Sequence, residues 1–339
     1  MKIIIVGSGI AGITFAETYR TLSPETQITL LTREQDGYYS RPMLSHGFSR
    51  KDVEQKIILK AFNQLLEKNI CVISGVNVTD IQANTRTITV KGLAGLEALE
   101  YDVLILATGS AAMIPPPLQP YSEQFFILNS LQDLKTLRSF RLDLLQQQRK
   151  PHWAVIGGGL IGCEVASDLA ISGDQVTLFH AMDRLMERQL TAADSVNLLN
   201  VLQIAPVTVL LNQQVSGFIK DADKIRVNAS GKECANFDAV IVSCGFKPRI
   251  KLATNAGLET GRGIKVNQYL QSSDENIYAL GDVAELPNGK LYAFIMPIRH
   301  QASWLANYLK ERDQQPWSPP SFNPKAKVHG FTAEYPYIF

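Results

Sequence analysis

Cysteine is scarce in this chain, at four in 339 residues, and none of Cys71, Cys163, Cys234 and Cys244 forms a C-x-x-C pair. That spacing excludes a dithiol of the C-x-x-C type and a zinc ribbon. So few thiols in so long a chain do not make a disulfide scaffold, and all four are expected to be reduced structural thiols. Charge of one sign is also lacking. Lys and Arg number 33 against 32 Asp and Glu, a net charge of +1. This gives no broad field for nucleic acid or an anionic membrane, so a charged partner has to be met by a local patch. No run of 18 apolar residues occurs, and none is expected to span a membrane. The chain enters a strand by residue 3, which leaves no room for a signal peptide, and a cytoplasmic location follows as the default.

What is present is ordinary for a globular protein: 45% hydrophobic and 19% charged residues. A length beyond ~250–300 residues implies more than one domain. Two glycine turns give those domains an identity. Ile3-Ile4-Ile5-Val6 runs into Gly7-Ser8-Gly9-Ile10-Ala11-Gly12, and Trp153-Ala154-Val155-Ile156 runs into Gly157-Gly158-Gly159-Leu160-Ile161-Gly162. Each reads as strand, G-x-G-x-x-G, helix, the fingerprint for gripping a dinucleotide pyrophosphate. The first glycine allows the tight turn, the second lets backbone approach phosphate, and the third lets helix and strand pack closely. Ile10, Ala11, Leu160 and Ile161 open the helices whose free N–H groups face the anion. Two such turns imply two dinucleotides, and the usual pair is FAD with NAD(P)H.

The rest of the chain repeats around them. Strands are expected near 2–6 and 27–32 with a helix over 10–22 between them. A helix near 61–68, a strand near 70–74, a hairpin pairing 76–80 with 86–90, and a buried strand Val103–Leu106 follow. Pro115-Pro116-Pro117 breaks regular structure and is taken as the crossing between domains. A helix over 130–148 precedes the second turn. After it, a strand (176–179), a hairpin (214–229) and a closing strand (239–242) recur in the same order. Tyr101-Asp102-Val103-Leu104-Ile105 rhymes with Phe237-Asp238-Ala239-Val240-Ile241. After Gly245 the chain is expected to return to the first domain with a strand near 277–280 and a helix from Pro297.

Tyr39-Ser40-Arg41-Pro42-Met43-Leu44-Ser45, Leu106-Ala107-Thr108-Gly109, Gly157 to Glu164, Ile277-Tyr278-Ala279-Leu280-Gly281-Asp282 and Met296-Pro297 stand in an order that identifies a family. The chain resembles the FAD/NAD(P)-dependent pyridine nucleotide-disulfide oxidoreductases, and within them the rubredoxin and flavorubredoxin reductases. The resemblance implies an α/β fold of two Rossmann-like domains, glutathione-reductase-like, with the NAD(P)H domain inserted in the FAD domain. The expected boundaries are 1–112 and 246–320 for the FAD domain and 113–245 for the NAD(P)H domain. Residues 321–339 would begin an interface domain that those proteins carry further and that is largely absent here.

The resemblance also implies the remaining site residues. Glu34, beside Arg33 and with Asp36 as fallback, is the acid for a ribose hydroxyl of FAD. Asp282, after Gly281, takes the ribityl chain. Ala107-Thr108-Gly109, Val78 and Gly245 line the nucleotide sites. Arg41-Pro42 and the helix start at Pro297 are expected to stabilise negative charge on reduced flavin. Family members often carry Lys in place of Arg41, and Arg keeps the charge on a longer, planar group. Glu164 falls where the family places an acid near the nicotinamide. His180 ends the strand where an acid reads NAD and an arginine NADP. Histidine reads neither, Arg184 and Arg188 lie nearby, and the resemblance favours NADH.

No cysteine falls within 33–50, which argues against disulfide or peroxide chemistry. His46, His300 and His329 read as scattered, and with Arg299, Lys325 and Lys327 two of them suggest a basic edge for an acidic rubredoxin. The expected activity is hydride transfer from NADH to FAD, then single electrons to rubredoxin or another small iron carrier, with no acid–base residue, in a monomer or weak dimer. Ferredoxin, nitrite or quinone reductases, and a nucleotide sensor without turnover, stand as alternatives.

Overall fold

The computed structural model of the protein describes residues 1–92 and 95–338, apart from the side chains of 233–235. The thiol of Cys234 and residue Phe339 therefore lie outside the described residues. The chain divides into two compact units. One comprises residues 1–40, 58–111 and 247–322, the other 41–57, 112–246 and 323–339.

The first unit is built on a five-stranded parallel sheet. Its order is Ile277–Ala279, Val103–Leu106, Lys2–Val6, Gln27–Leu31, Ile70–Ile73. Ile3 to Val6 and Val103 to Leu106 are apolar and buried throughout because both faces are covered, as in doubly wound sheets. The helix Ile10–Leu22 connects two of them and lies against the helix Ile295–Glu311. The latter turns Ile298, Ala302, Leu305 and Leu309 to the core at helical spacing. It begins at Ile295 with Phe294 as its N-cap, two residues ahead of the expected start at Pro297. Proline supplies no N–H and is tolerated within a first turn, so Pro297 sits inside the helix without breaking it. An antiparallel meander, Asn77–Gln82, Thr87–Gly92 and Gly95–Glu100, completes the repeat unit.

The second unit follows the same plan. Ala239–Val242, His152–Ile156, Gln175–Phe179 and Val207–Leu210 form a parallel sheet. The meander is Val215–Asp221, Lys224–Ala229 and Lys232–Phe237. Ser130 caps the helix Leu131–Gln146 in a capping box with Asp133. Thr191 caps Ala192–Ile204. The proline stretch runs into a short 3₁₀ helix, Pro116–Tyr121, with Pro115 as its N-cap.

Two short segments from distant parts of the chain join this unit. The Ser45 hydroxyl donates to Glu164 at 2.6 Å, and Phe48 N–H donates to Asp168 at 2.8 Å. In the tail, Glu334 N–H donates to Asp194 at 2.8 Å and Ile338 N–H to the Gln189 carbonyl at 2.9 Å. Among the described residues, no helix is long and apolar enough to cross a membrane.

Candidate functional site

The two glycine turns have one geometry. Gly7 and Gly157 adopt φ of +117° and +110°, open to glycine and strained for other residues. A Cβ on Gly7 would stand 2.2 Å from the Ala107 carbonyl oxygen, and one on Gly157 2.4 Å from that of Ser243. Gly9 and Gly159 are the N-caps of the following helices, and a Cβ on either would meet nothing within 4 Å. Neither helix carries a side-chain cap or an acidic residue in its first turn. Each turn therefore leaves a positive helix end facing open space, which is what a pyrophosphate requires.

Around the first turn, Gly281 has φ +80° and backs onto Ala11, where a Cβ would lie 3.1 Å from the Ala11 methyl. Gly281 N–H donates to Gln301 Oε1 at 2.8 Å. Gln301 is fully buried and its Nε2 has no partner, an unused donor beside the Gly-Asp turn. Asp282 accepts the Ser110 hydroxyl at 2.7 Å. Arg249, which sequence reasoning missed, holds the Thr108 stretch: its N–H donates to the Gly109 carbonyl at 2.9 Å, and its carbonyl accepts the Thr108 hydroxyl at 3.2 Å. The Ser8 and Thr32 hydroxyls share a hydrogen bond of 2.7 Å, and Thr32 also accepts Glu34 N–H at 3.1 Å. Glu34 accepts the Tyr39 hydroxyl at 3.0 Å, which orients its carboxylate. Val78 packs on the core of this unit. The open glycine, the uncapped helix end and the unused buried donor fit FAD.

Around the second turn, His180 is buried, and its Nδ1 accepts Gly158 N–H at 3.0 Å. Nε2 is then the protonated nitrogen, and it donates to Glu187 Oε2 at 3.1 Å. Met186 N–H donates back to the Gly158 carbonyl at 2.9 Å, so the loop after the strand is folded against the turn. This brings a partly exposed carboxylate to where ribose specificity is read. Glu187 was missed because it stands seven residues past His180. The signal available was an acid within the same loop. Arg184 donates to the Glu187 carbonyl at 3.1 Å, and the Arg188 side chain is 83% exposed. The open Gly159 and the uncapped helix end fit the pyrophosphate of a nicotinamide dinucleotide. Gly245 has φ +104° and its carbonyl accepts Met113 N–H at 2.8 Å.

Glu164 is buried rather than on a helix surface. It accepts the Ser45 hydroxyl and Lys327 N–H at 2.8 Å. Burial pushes its carboxyl above the ordinary range against these two donors and the Lys327 charge. Glu164→Ala strands both donors in the interior. The expected cost is about 1–3 kcal/mol, read as a lower Tm with the parallel-sheet circular dichroism kept. An unchanged Tm would show that water replaces the carboxylate.

Arg41 and Pro42 lie in the second unit. The Arg41 guanidinium donates to the Asn129 carbonyl, and the Pro42 carbonyl accepts from Lys327 Nζ at 3.0 Å. His46 and His329 are not scattered but meet edge to face, ring centroids 5.3 Å apart, beside Asp168. His300 accepts the Trp317 indole N–H at 2.9 Å. The three cysteines with described side chains are free thiols. Burial pushes Cys163 far up and Cys244 up to about 11, which keeps both protonated and poor nucleophiles.

A family model described as pyridine nucleotide-disulphide oxidoreductase matches residues 1–303. The chain is 33% identical over 314 residues to "Nitric oxide reductase FlRd-NAD(+) reductase" of Aliivibrio fischeri, covering 92% of this chain and 80% of that one. It is 32% identical over 315 residues to "Rubredoxin-NAD(+) reductase" of Alcanivorax borkumensis, covering 91% and 78%. Among solved structures it resembles the reductase fold in a covalent putidaredoxin reductase–putidaredoxin complex, at TM-score 0.83 and 27% identity, covering 97% of this chain and 79% of that one. It spans 60% and 62% of the length of two longer solved chains of the same fold.

Proposed function

The chain belongs to the pyridine nucleotide-disulphide oxidoreductase family, and on that premise we propose that it is an FAD-dependent oxidoreductase that takes electrons from NADH and passes them to a small iron protein of the rubredoxin type. The observation that carries this reading is the twofold glycine turn, each copy with an open second glycine and an uncapped helix end. When bound, FAD accepts a hydride from the nicotinamide and releases electrons singly.

The chain's own residues bind and orient. In the first unit the Gly7–Gly12 turn takes the pyrophosphate, Glu34 a ribose hydroxyl, and Asp282 the ribityl hydroxyls with Ser110 fixing its carboxylate. Gln301 Nε2 offers the donor that protein leaves unused. In the second unit the Gly157–Gly162 turn takes the pyrophosphate of NADH. Glu187, held by His180, accepts a ribose hydroxyl and repels a 2′-phosphate, which favours NADH over NADPH. A role for Arg41 and Pro42 towards flavin charge and for Glu164 towards the nicotinamide rests on the family likeness, since Glu164 here accepts from Ser45 and Lys327. No proton-transfer residue is required, since orientation supplies the rate.

The iron-protein acceptor is supported by the names of the flavorubredoxin and rubredoxin reductases, and by the putidaredoxin complex. A cytoplasmic location and a monomer or weak dimer belong to the same reading. Anaerobic stopped-flow at the flavin absorbance maximum tests it. NADH is expected to bleach the flavin, NADPH much more slowly, and oxidised rubredoxin to restore the colour. Restoration by a ferredoxin of the putidaredoxin type but not by rubredoxin would move the acceptor. A yellow protein bleached by neither nucleotide would overturn the reductase reading.

A further inference from the structure

We propose that His46, Asp168 and His329 form a binding site for a divalent transition metal of the zinc class in the second unit. One ligand atom from each lies within 4.8 Å of the other two. Two imidazoles and a carboxylate are a borderline donor set that suits zinc and its neighbours rather than calcium or magnesium.

The carboxylate is already positioned as a ligand. Asp168 is fully buried, and its Oδ2 is occupied by the N–H groups of Phe48 at 2.8 Å and Ser49 at 3.0 Å. This fixes its plane and turns Oδ1 to the two imidazoles. Oδ1 accepts the Ser49 hydroxyl and His329 Nε2–H, the latter at 3.1 Å, and lies 3.8 Å from His46 Nδ1, too far for a hydrogen bond. The bonds from Phe48 and Ser49 hold the carboxylate as outer bonds to a metal ligand do, and the ion would take the place of the His329 Nε2 proton, which is released to water or moves to Nδ1.

His46 is the independent observation. It is 7% exposed, its Nε2 has no partner, and its Nδ1 faces Asp168 Oδ1 at 3.8 Å. With the ring proton on Nε2, Nδ1 keeps its lone pair towards the carboxylate, where a cation would use it.

Zinc bonds of ~2.0–2.2 Å place ligand atoms about 3.3 Å apart in a tetrahedron. The site therefore has to close from its present separations. His329 is the ligand nearest solvent, on the tail with its side chain 35% exposed, and that exposure opens a path for the ion. Three protein ligands leave a fourth position for water. The metal would join three parts of the chain: the segment 41–57, the helix Leu160–Ile171 and the tail 323–339. Its role here is to pin the tail, and nothing in it depends on the flavin reading.

The test is a Zn²⁺ titration of the chelator-treated, flavin-loaded protein by calorimetry, with thermal unfolding followed in Zn²⁺ and in EDTA. One Zn²⁺ per chain with micromolar or tighter affinity is expected, together with a rise in Tm of several degrees that EDTA reverses. His329→Ala is expected to weaken the affinity roughly 100-fold and abolish the Zn²⁺-dependent rise, whatever its own Tm in EDTA. His46→Gln serves as the second variant if His329→Ala unfolds. No stoichiometric binding up to millimolar Zn²⁺ would overturn the proposal. So would binding that survives both variants but is lost in Cys71→Ser, which would place the ion on an exposed thiol.

Discussion

Gly159→Val is expected to give a folded, yellow protein whose affinity for NADH falls on the order of 100-fold, about 2.7 kcal/mol. Gly9→Val is expected to give the complementary result, a folded chain that purifies colourless and takes up added FAD poorly. The reason is the same at both positions. The backbone is extended, at φ −69° and −79°, so a branched residue is allowed there. A side chain would enter open space, so the cost to the fold is limited to a poorer N-cap, about 1 kcal/mol or less. That open space is where phosphate has to approach backbone. Gly157→Ala is different, because its Cβ would stand 2.4 Å from the Ser243 carbonyl oxygen at a positive φ, and it is expected to lower Tm sharply as well. Fluorescence quenching for NADH and flavin content per chain separate these cases. A Gly159→Val protein that binds NADH within about threefold of the parent would show that the second turn does not hold the pyrophosphate.

Glu187→Arg is expected to invert nucleotide preference. On the proposed reading the parent carboxylate accepts ribose hydroxyls and repels the 2′-phosphate. An arginine there offers a planar, bidentate donor to that phosphate instead. The ratio of NADH to NADPH affinities is expected to fall by about 100-fold or more, nearly 3 kcal/mol, since both halves of the discrimination change sign. Glu187→Gln keeps an acceptor for His180 Nε2 without the charge, and is expected to narrow the ratio by about tenfold. Binding of NADP⁺ and NAD⁺ measured by calorimetry reads this without turnover. A ratio unmoved by both variants, in protein that still binds NAD⁺ tightly, would remove Glu187 from specificity and leave the binding turn intact.

Legibility follows distance along the chain. The glycine turns, the strands that feed them and the closing strands before Thr108-Gly109 and Cys244-Gly245 could be read because each is a local pattern of apolar run and forced turn. The Gly281-Asp282 turn could be read for the same reason. The helix near Pro297 was placed two residues late, because proline marks a first turn without saying which position in it. Contacts that join distant segments left no such trace. Ser45 meets Glu164 and Glu334 meets Asp194 across more than 100 residues of chain. The meeting of His46 with His329 has the same character, and reading the histidines one by one scattered them. Glu187 lies between the two cases: its loop is local, but only the folded loop brings it to His180.

Because the two turns share one backbone geometry, neither can tell adenine dinucleotides apart by itself. On the proposed reading each would grip an ADP moiety, common to FAD and NADH, and sorting would fall to the residues one step outward. In the first unit that step is the Ser8–Thr32 hydroxyl pair leading to Glu34 and Tyr39, and in the second it is the Gly158–His180–Glu187 chain. Free ADP is then a ligand with two addresses in one polypeptide. On the proposed reading it is expected to compete with NADH at the second turn and with FAD at the first.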